Sequence, residues 1–176
     1  MEGSKRHVAM KSLQAVAVLA MTLALFSEAA RADKSRAAIF PFELYDTSLQ
    51  GEMQGPRKDE QVRLRHLGTQ LADLLAQSGK YQPMNVPNMT GETLRTCGGC
   101  EVDLARKAGA QVSVIGWVQK VSDLILNINI VMRSVATGKM VHAGSVDIRG
   151  NTDESWSRGL AYLVRYRILA DTAASR

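Results

Sequence analysis

"QVSVIGWVQKVSDLILNINIVMRSVATGKMVHAGSVDIRG" (residues 111–150) decides the fold of this chain. Residues 111–122 carry Val112, Val114, Ile115 and Val118, β-branched side chains that predict a strand. The next stretch, 123–135, alternates. Leu124, Leu126, Ile128, Ile130 and Met132 share one face, while Asn127, Asn129 and Arg133 share the other. That is the pattern of a half-buried antiparallel strand. Ser122 and Asp123 make the turn between the two strands. A second turn over 136–139, through Gly138, leads to a returning strand at 140–150. Consecutive strands joined by short turns form a meander.

Working outward, residues 58–81 read as an amphipathic helix. Leu64, Leu67, Leu71, Leu74 and Leu75 recur at helical spacing, and Gly79 closes the helix. "RAAIFPFEL" (36–44) is the first strand, with Pro41 marking an edge or a bulge. "YDTSLQGEMQGPRKDE" (45–60) is polar and broken by Gly51, Gly55 and Pro56, so it reads as a loop. A loop at the end of a first strand is a common place for binding residues. Residues 81–87 form a brief second strand, 88–96 another loop, and 99–108 a short helix closed by Gly109. The last helix spans 151–174. Asn151 is its expected cap, with Glu154 completing a capping box, and Trp156, Leu160, Leu163, Val164 and Ile168 form its apolar stripe. The order β-α-β-α-β-β-β-α predicts an α/β fold with a single mixed sheet of about five strands.

The N-terminus reads as a secretory signal peptide over residues 1–32. Lys5, Arg6 and Lys11 precede the uncharged run "LQAVAVLAMTLALF" (13–26), and Ala30-Arg31-Ala32 fits the cleavage site. The run is shorter than the roughly 18–20 apolar residues a membrane span needs. Met10, followed by Lys11, is a more natural start than Met1. Cleavage would leave 33–176 as one periplasmic α/β domain, with no stable membrane insertion. That part holds 18 basic and 15 acidic residues, a surplus too small for a nucleic-acid footprint.

Several phrases resemble a known plan: "AAIFPFEL", "LRHLGTQLADLLAQSGKYQPM", "ARKAGAQVSVIGWVQKVS" and "INIVMRSVATGKMVHAGSVDIRG". They are similar to the amino-terminal domain of the Tol-Pal protein TolB. They also resemble the periplasmic domains of the curli-secretion lipoprotein and the penicillin-binding-protein activator lipoproteins. More closely, the C-x-x-C pair with "DIRGNTDESW" resembles an uncharacterised family of exported bacterial proteins with a domain of unknown function. The resemblance implies an accessory or adaptor protein of the envelope, bound to another envelope protein and not an enzyme. It implies no catalytic residues, and it leaves the oligomeric state open.

Two stretches hold the densest chemistry. Cys97 and Cys100 flank two glycines at the start of the short helix. Export places them in an oxidising compartment, where a small disulfide is the expected state. The alternative is a thiol–disulfide oxidoreductase, since a helix N-terminus lowers a thiol pKa. A zinc site lacks further ligands in the sequence nearby. In "DIRGNTDESW" (147–156), Asp147, Asn151, Asp153 and Trp156 are the candidate partner-binding residues, and a metal site over 147–154 is the other alternative. The spacing does not match a calcium loop. Neither a G-x-S-x-G elbow nor a P-loop occurs in the sequence, and no cofactor is expected.

Overall fold

The computed structural model describes residues 33–88, 91 and 93–170. The signal peptide read over 1–32 and the end of the last expected helix, 171–174, lie outside these residues.

The meander forms as its alternation predicts. Strands β4 (Val112–Lys120), β5 (Ile125–Ser134) and β6 (Met140–Arg149) pair antiparallel in sequence order. Leu126, Ile128, Ile130 and Met132 are fully buried on one face. Leu124 is the exception: it falls in the turn before β5 and is 71% exposed. Strand β1 (Ser35–Ile39) pairs parallel with both β4 and β3 (Tyr81–Asn85). The sheet order is β3-β1-β4-β5-β6, a mixed sheet as expected.

Pro41 marks a break that the sequence only half discloses. The expected strand over 36–44 becomes two strands, β1 and β2 (Glu43–Asp46), and both run parallel to β4. Ile39 faces Val114 and Glu43 faces Trp117, so residues 40–42 oppose only 115 and 116. One extra residue in one strand is a bulge, and it flips the side-chain parity. Phe40 therefore packs on one face of the sheet and Phe42 on the other. Each buried ring contributes about 1.5–3 kcal/mol of transfer free energy. Gly116 makes room for this: a Cβ there would run into the Phe42 ring.

The segment 45–60, expected as loop, contains β2 and a short helix, α1 (Leu49–Gln54). Ser48 caps α1, its side chain accepting from the Gly51 amide at 3.0 Å. The long helix α2 (Lys58–Gln77) and the last helix α4 (Asp153–Leu163) cover one face of the sheet. Leu64, Leu67, Leu71 and Leu75 of α2 meet Leu160, Leu163 and the β5 residues there. Helix α4 continues as a π-helical turn, Val164–Ile168, that keeps Val164 and Ile168 buried. Its cap is Thr152, whose side chain accepts from the Ser155 amide at 3.2 Å, and not Asn151. The short helix α3 (Cys100–Lys107) lies on the opposite face, over Ala38, Phe40 and Ile115. No helix among the described residues is long and apolar enough to cross a membrane.

Candidate functional site

The carboxyl ends of β2 and β4 lie side by side, since Asp46 is paired with Lys120. In open α/β sheets, ligands sit outside the carboxyl ends of parallel strands. Here that end carries a buried ion-pair network and, beside it, a cleft.

Lys120 is the hub of the network. Its Nζ lies 2.7 Å from Glu60 Oε1, 3.1 Å from Asp123 Oδ1 and 3.4 Å from Asp46 Oδ2. Lys120 and Glu60 are both fully buried. Burial alone would lower the pKa of this ammonium. Its hydrogen bonds to Glu60 and Asp123, with the charges of Glu60 and Asp46, outweigh burial and hold it above 10.5. Burial pushes Asp46 up as well, but hydrogen bonds from Ser48 and the charge of Lys120 bring it below its usual value. Glu60 Oε2 has no hydrogen-bond partner among the described residues.

Asn151 closes the network from the other side. Its amide donates to Glu60 Oε1 at 2.6 Å and to Asp123 Oδ1 at 3.0 Å. Its oxygen accepts from Trp156 Nε1 at 3.0 Å and from Arg63 at 3.2 Å. Arg63 also holds Asp153 at 2.6 Å and stands over the Trp156 ring at 5.9 Å. Three of the four residues singled out in "DIRGNTDESW" thus come together, with Trp156 buried as a core anchor. Asp147 is apart from them, on the face where Asn127 donates to it at 2.7 Å. Among the described residues, 147–154 forms no cluster that could hold a metal ion.

The cleft encloses about 710 Å³. Residues 42–48, the whole of β2 and its ends, form one wall, with Leu64 and Gln61 of α2 and the loop residues Thr93 and Arg95 opposite. Glu43 ties that loop down by accepting from the Leu94 amide at 2.6 Å. The Arg95 guanidinium stacks on Tyr45, 4.2 Å from the ring centroid. No carboxylate pairs with it among the described residues, and its Nε is buried without a partner. Gly51 leaves space for the Asp46 carboxylate, which a Cβ would strike.

From the sequence, 45–60 is a loop of the kind that often carries binding residues, and nothing singles out Tyr45, Asp46, Arg95 or the Lys120–Glu60 pair. The one signal was a lysine closing an apolar strand, and its partner lies 60 positions away.

Cys97 and Cys100 are joined, with sulfurs 2.03 Å apart, at the start of α3. Both pack against the smaller core cluster. Glu101 beside them is buried and pairs with Arg133 at 3.0 Å. These three residues are the one group with metal-ligand spacing among the described residues.

A mixed sheet with two long helices on one face, one on the other and a cleft along β2 defines an α/β domain. The chain belongs to the family described as a protein of unknown function (DUF2380), DUF3280, which matches residues 35–168. No curated protein matches the chain. In fold it is similar to a PelC dodecamer from Paraburkholderia phytofirmans, at 12% identity and a TM-score of 0.52, covering 74% of this chain and 85% of that one. It is also similar to the LpoB C-terminal domain from Salmonella enterica (13% identity, TM-score 0.45, 68% of this chain and 87% of that one). TolB from Acinetobacter baumannii overlaps at 11% identity and a TM-score of 0.42, over 74% of this chain and 28% of that one. The family of unknown function expected from the sequence phrases is thus found.

Proposed function

We propose that this chain is an exported accessory domain of the cell envelope that works by docking another envelope protein, with no catalytic step of its own. The observation that carries this reading is the cleft along β2. Strand β2 forms its wall and Arg95 has no counter-charge among the described residues, while Asp46, Glu60 and Lys120 at this end of the sheet are engaged with one another and Glu52 stands exposed at the rim. Groups held in mutual ion pairs stabilise a scaffold and are poorly placed for acid–base chemistry. The sequence resemblance to envelope proteins and the shared fold with PelC support the same role. A cleaved signal over 1–32 and a periplasmic domain over 33–176 belong to this proposal.

Site-specific photocrosslinking in the periplasm tests it. A photoreactive side chain at Glu52, exposed at the rim of the cleft, is expected to give one dominant adduct with an envelope protein. The same group at Lys107 on α3 is expected to give none. A protein retained in the cytoplasm, or one with no adduct from either position, overturns the proposal.

A second reading, thiol–disulfide exchange, draws on one observation. The Cys97 sulfur accepts from the Cys100 amide at 3.2 Å and lies 3.7 Å from the Glu101 carboxylate. A reduction potential below about −300 mV marks a structural disulfide, and a value near about −120 to −200 mV marks an exchange protein.

A further inference from the structure

We infer that the cleft takes an extended peptide segment of the partner, added as a strand to the edge of β2 that faces away from β4, which is unpaired among the described residues, with an acidic side chain of that segment on Arg95. This deepens the docking role and rests on it.

The edge is defined by hydrogen bonding. The Thr47 amide donates to the Lys120 carbonyl at 2.8 Å. In a parallel ladder, alternate residues turn their backbone groups to the same neighbour. Residues 43, 45 and 47 therefore face β4, and the N–H and C=O of Leu44 and Asp46 face away from it. In β1 the corresponding side is filled: β3 pairs along all of Ser35–Ile39, ending with the Val86 amide on the Ile39 carbonyl at 2.9 Å. Past that point β3 stops, and the lane beside β2 is the cleft. Among the described residues no hydrogen bond fills it. An unpaired strand edge lining a groove is the geometry of strand addition.

Side-chain chemistry then sets the occupant. Strand neighbours on one face lie side by side, alternating along the chain. On one face of the lane lie Tyr45 and the stacked Arg95, which has no counterion among the described residues. On the other lie Leu44 and Leu64, part of the main core. Of the carboxylates in the lining, Glu43 and Asp46 do not oppose an incoming acid freely, because each is already held by hydrogen-bond donors, and Glu52 stands exposed at the rim. The complementary segment alternates, with an acidic residue on the Arg95 face and apolar residues at the positions next to it in sequence. A guanidinium stacked on an aromatic ring is well suited to bind a carboxylate.

The probe is a random heptapeptide library displayed on phage, selected against the exported protein. Enriched clones are expected to carry Asp or Glu flanked by apolar residues. Arg95→Gln is expected to weaken a selected peptide by about tenfold or more with an unchanged melting temperature. N-methylation of the peptide amides on the edge facing β2 is expected to abolish binding, while N-methylation on the other edge is tolerated. No enrichment, clones without an acid, or insensitivity to both changes overturns the inference. If Glu52 crosslinks an envelope protein while no peptide is selected, strand addition falls and the docking role stands. If neither is seen, both fall.

Discussion

Lys120 Nζ stands 2.7 Å from Glu60 Oε1, with both side chains fully buried. The contact joins the last residue of β4 to the first turn of α2, and Asn151 extends it to the entry of α4. Removing one member of a buried pair strands the other charge. Lys120→Met is expected to cost about 3–5 kcal/mol, read by urea denaturation. The double variant Lys120→Met with Glu60→Leu is expected to recover much of that loss. Additive losses would show that the pair does not act as a unit.

Asn151→Ala leaves Glu60, Asp123 and the Trp156 indole each short of a hydrogen bond. Unsatisfied buried polar groups cost about 1–3 kcal/mol each. The expected readout is a lowered denaturation midpoint together with a shifted Trp156 emission. Thr152→Ala, which removes the helix cap, is expected to cost about 0.5–2 kcal/mol and to leave the indole emission unchanged.

Acid sensitivity follows from the aspartates. The Arg57 hydrogen bond and charge hold Asp59 at about 2, against an ordinary 3.8. Asp123 is lowered by its hydrogen bond from Asn151, and Asp46 by those from Ser48. A carboxyl depressed in the folded state contributes stability above its unfolded pKa and loses it as pH falls through the folded one. Thermal melts are expected to hold steady above pH ~4 and to fall between pH ~4 and ~2. Asp59 is partly exposed, so added salt is expected to blunt its share. Lys120 has the opposite sign: its contribution persists through neutral pH and is lost only as pH rises above 10.5. A melting temperature that rises on acidification contradicts these assignments.

Much of the architecture could be read from periodicity. The β5 alternation and the leucine spacing of α2 each specify one buried face, and both elements stand where the pattern puts them. The elements near the cleft were less legible. Strand β2 is four residues with one face half-covered, and α1 contains a glycine and buries no residue. Their stability comes from pairing with β4 and from the Asp46–Ser48 contacts, which local composition does not reveal. Asn151 followed by Glu154 satisfies the local rule for a cap, yet its amide is drawn inward by Glu60, 91 positions away. The chemistry of "DIRGNTDESW" is local in sequence and mostly structural in effect. That of Arg95 and Tyr45 exists only once the chain is folded.

Gly116→Ala tests the bulge. A methyl group there collides with Phe42, and overpacking of this kind costs about 1–3 kcal/mol. Phe42→Leu in the same protein is expected to relieve part of the strain, so the double variant should be less destabilised than the sum of the singles. Strict additivity would place Phe42 away from Gly116.

The disulfide closes a very short loop, for which chain entropy gives about 2 kcal/mol. Cys97→Ser with Cys100→Ser is expected to lower stability by no more than that, while crosslinking from Glu52 persists. Loss of the crosslink with the fold intact would move the functional centre to the cysteines.

Amide hydrogen exchange at Leu44 and Asp46 tests the central claim most directly. Their N–H groups face the open lane of the cleft, so they are expected to exchange readily in the free protein. With the crosslinked partner bound, exchange at both is predicted to slow by about tenfold or more, as for any newly formed ladder bond. Unchanged exchange at 44 and 46, with protection appearing instead along the edge strand β6 (Met140–Arg149), would contradict the account.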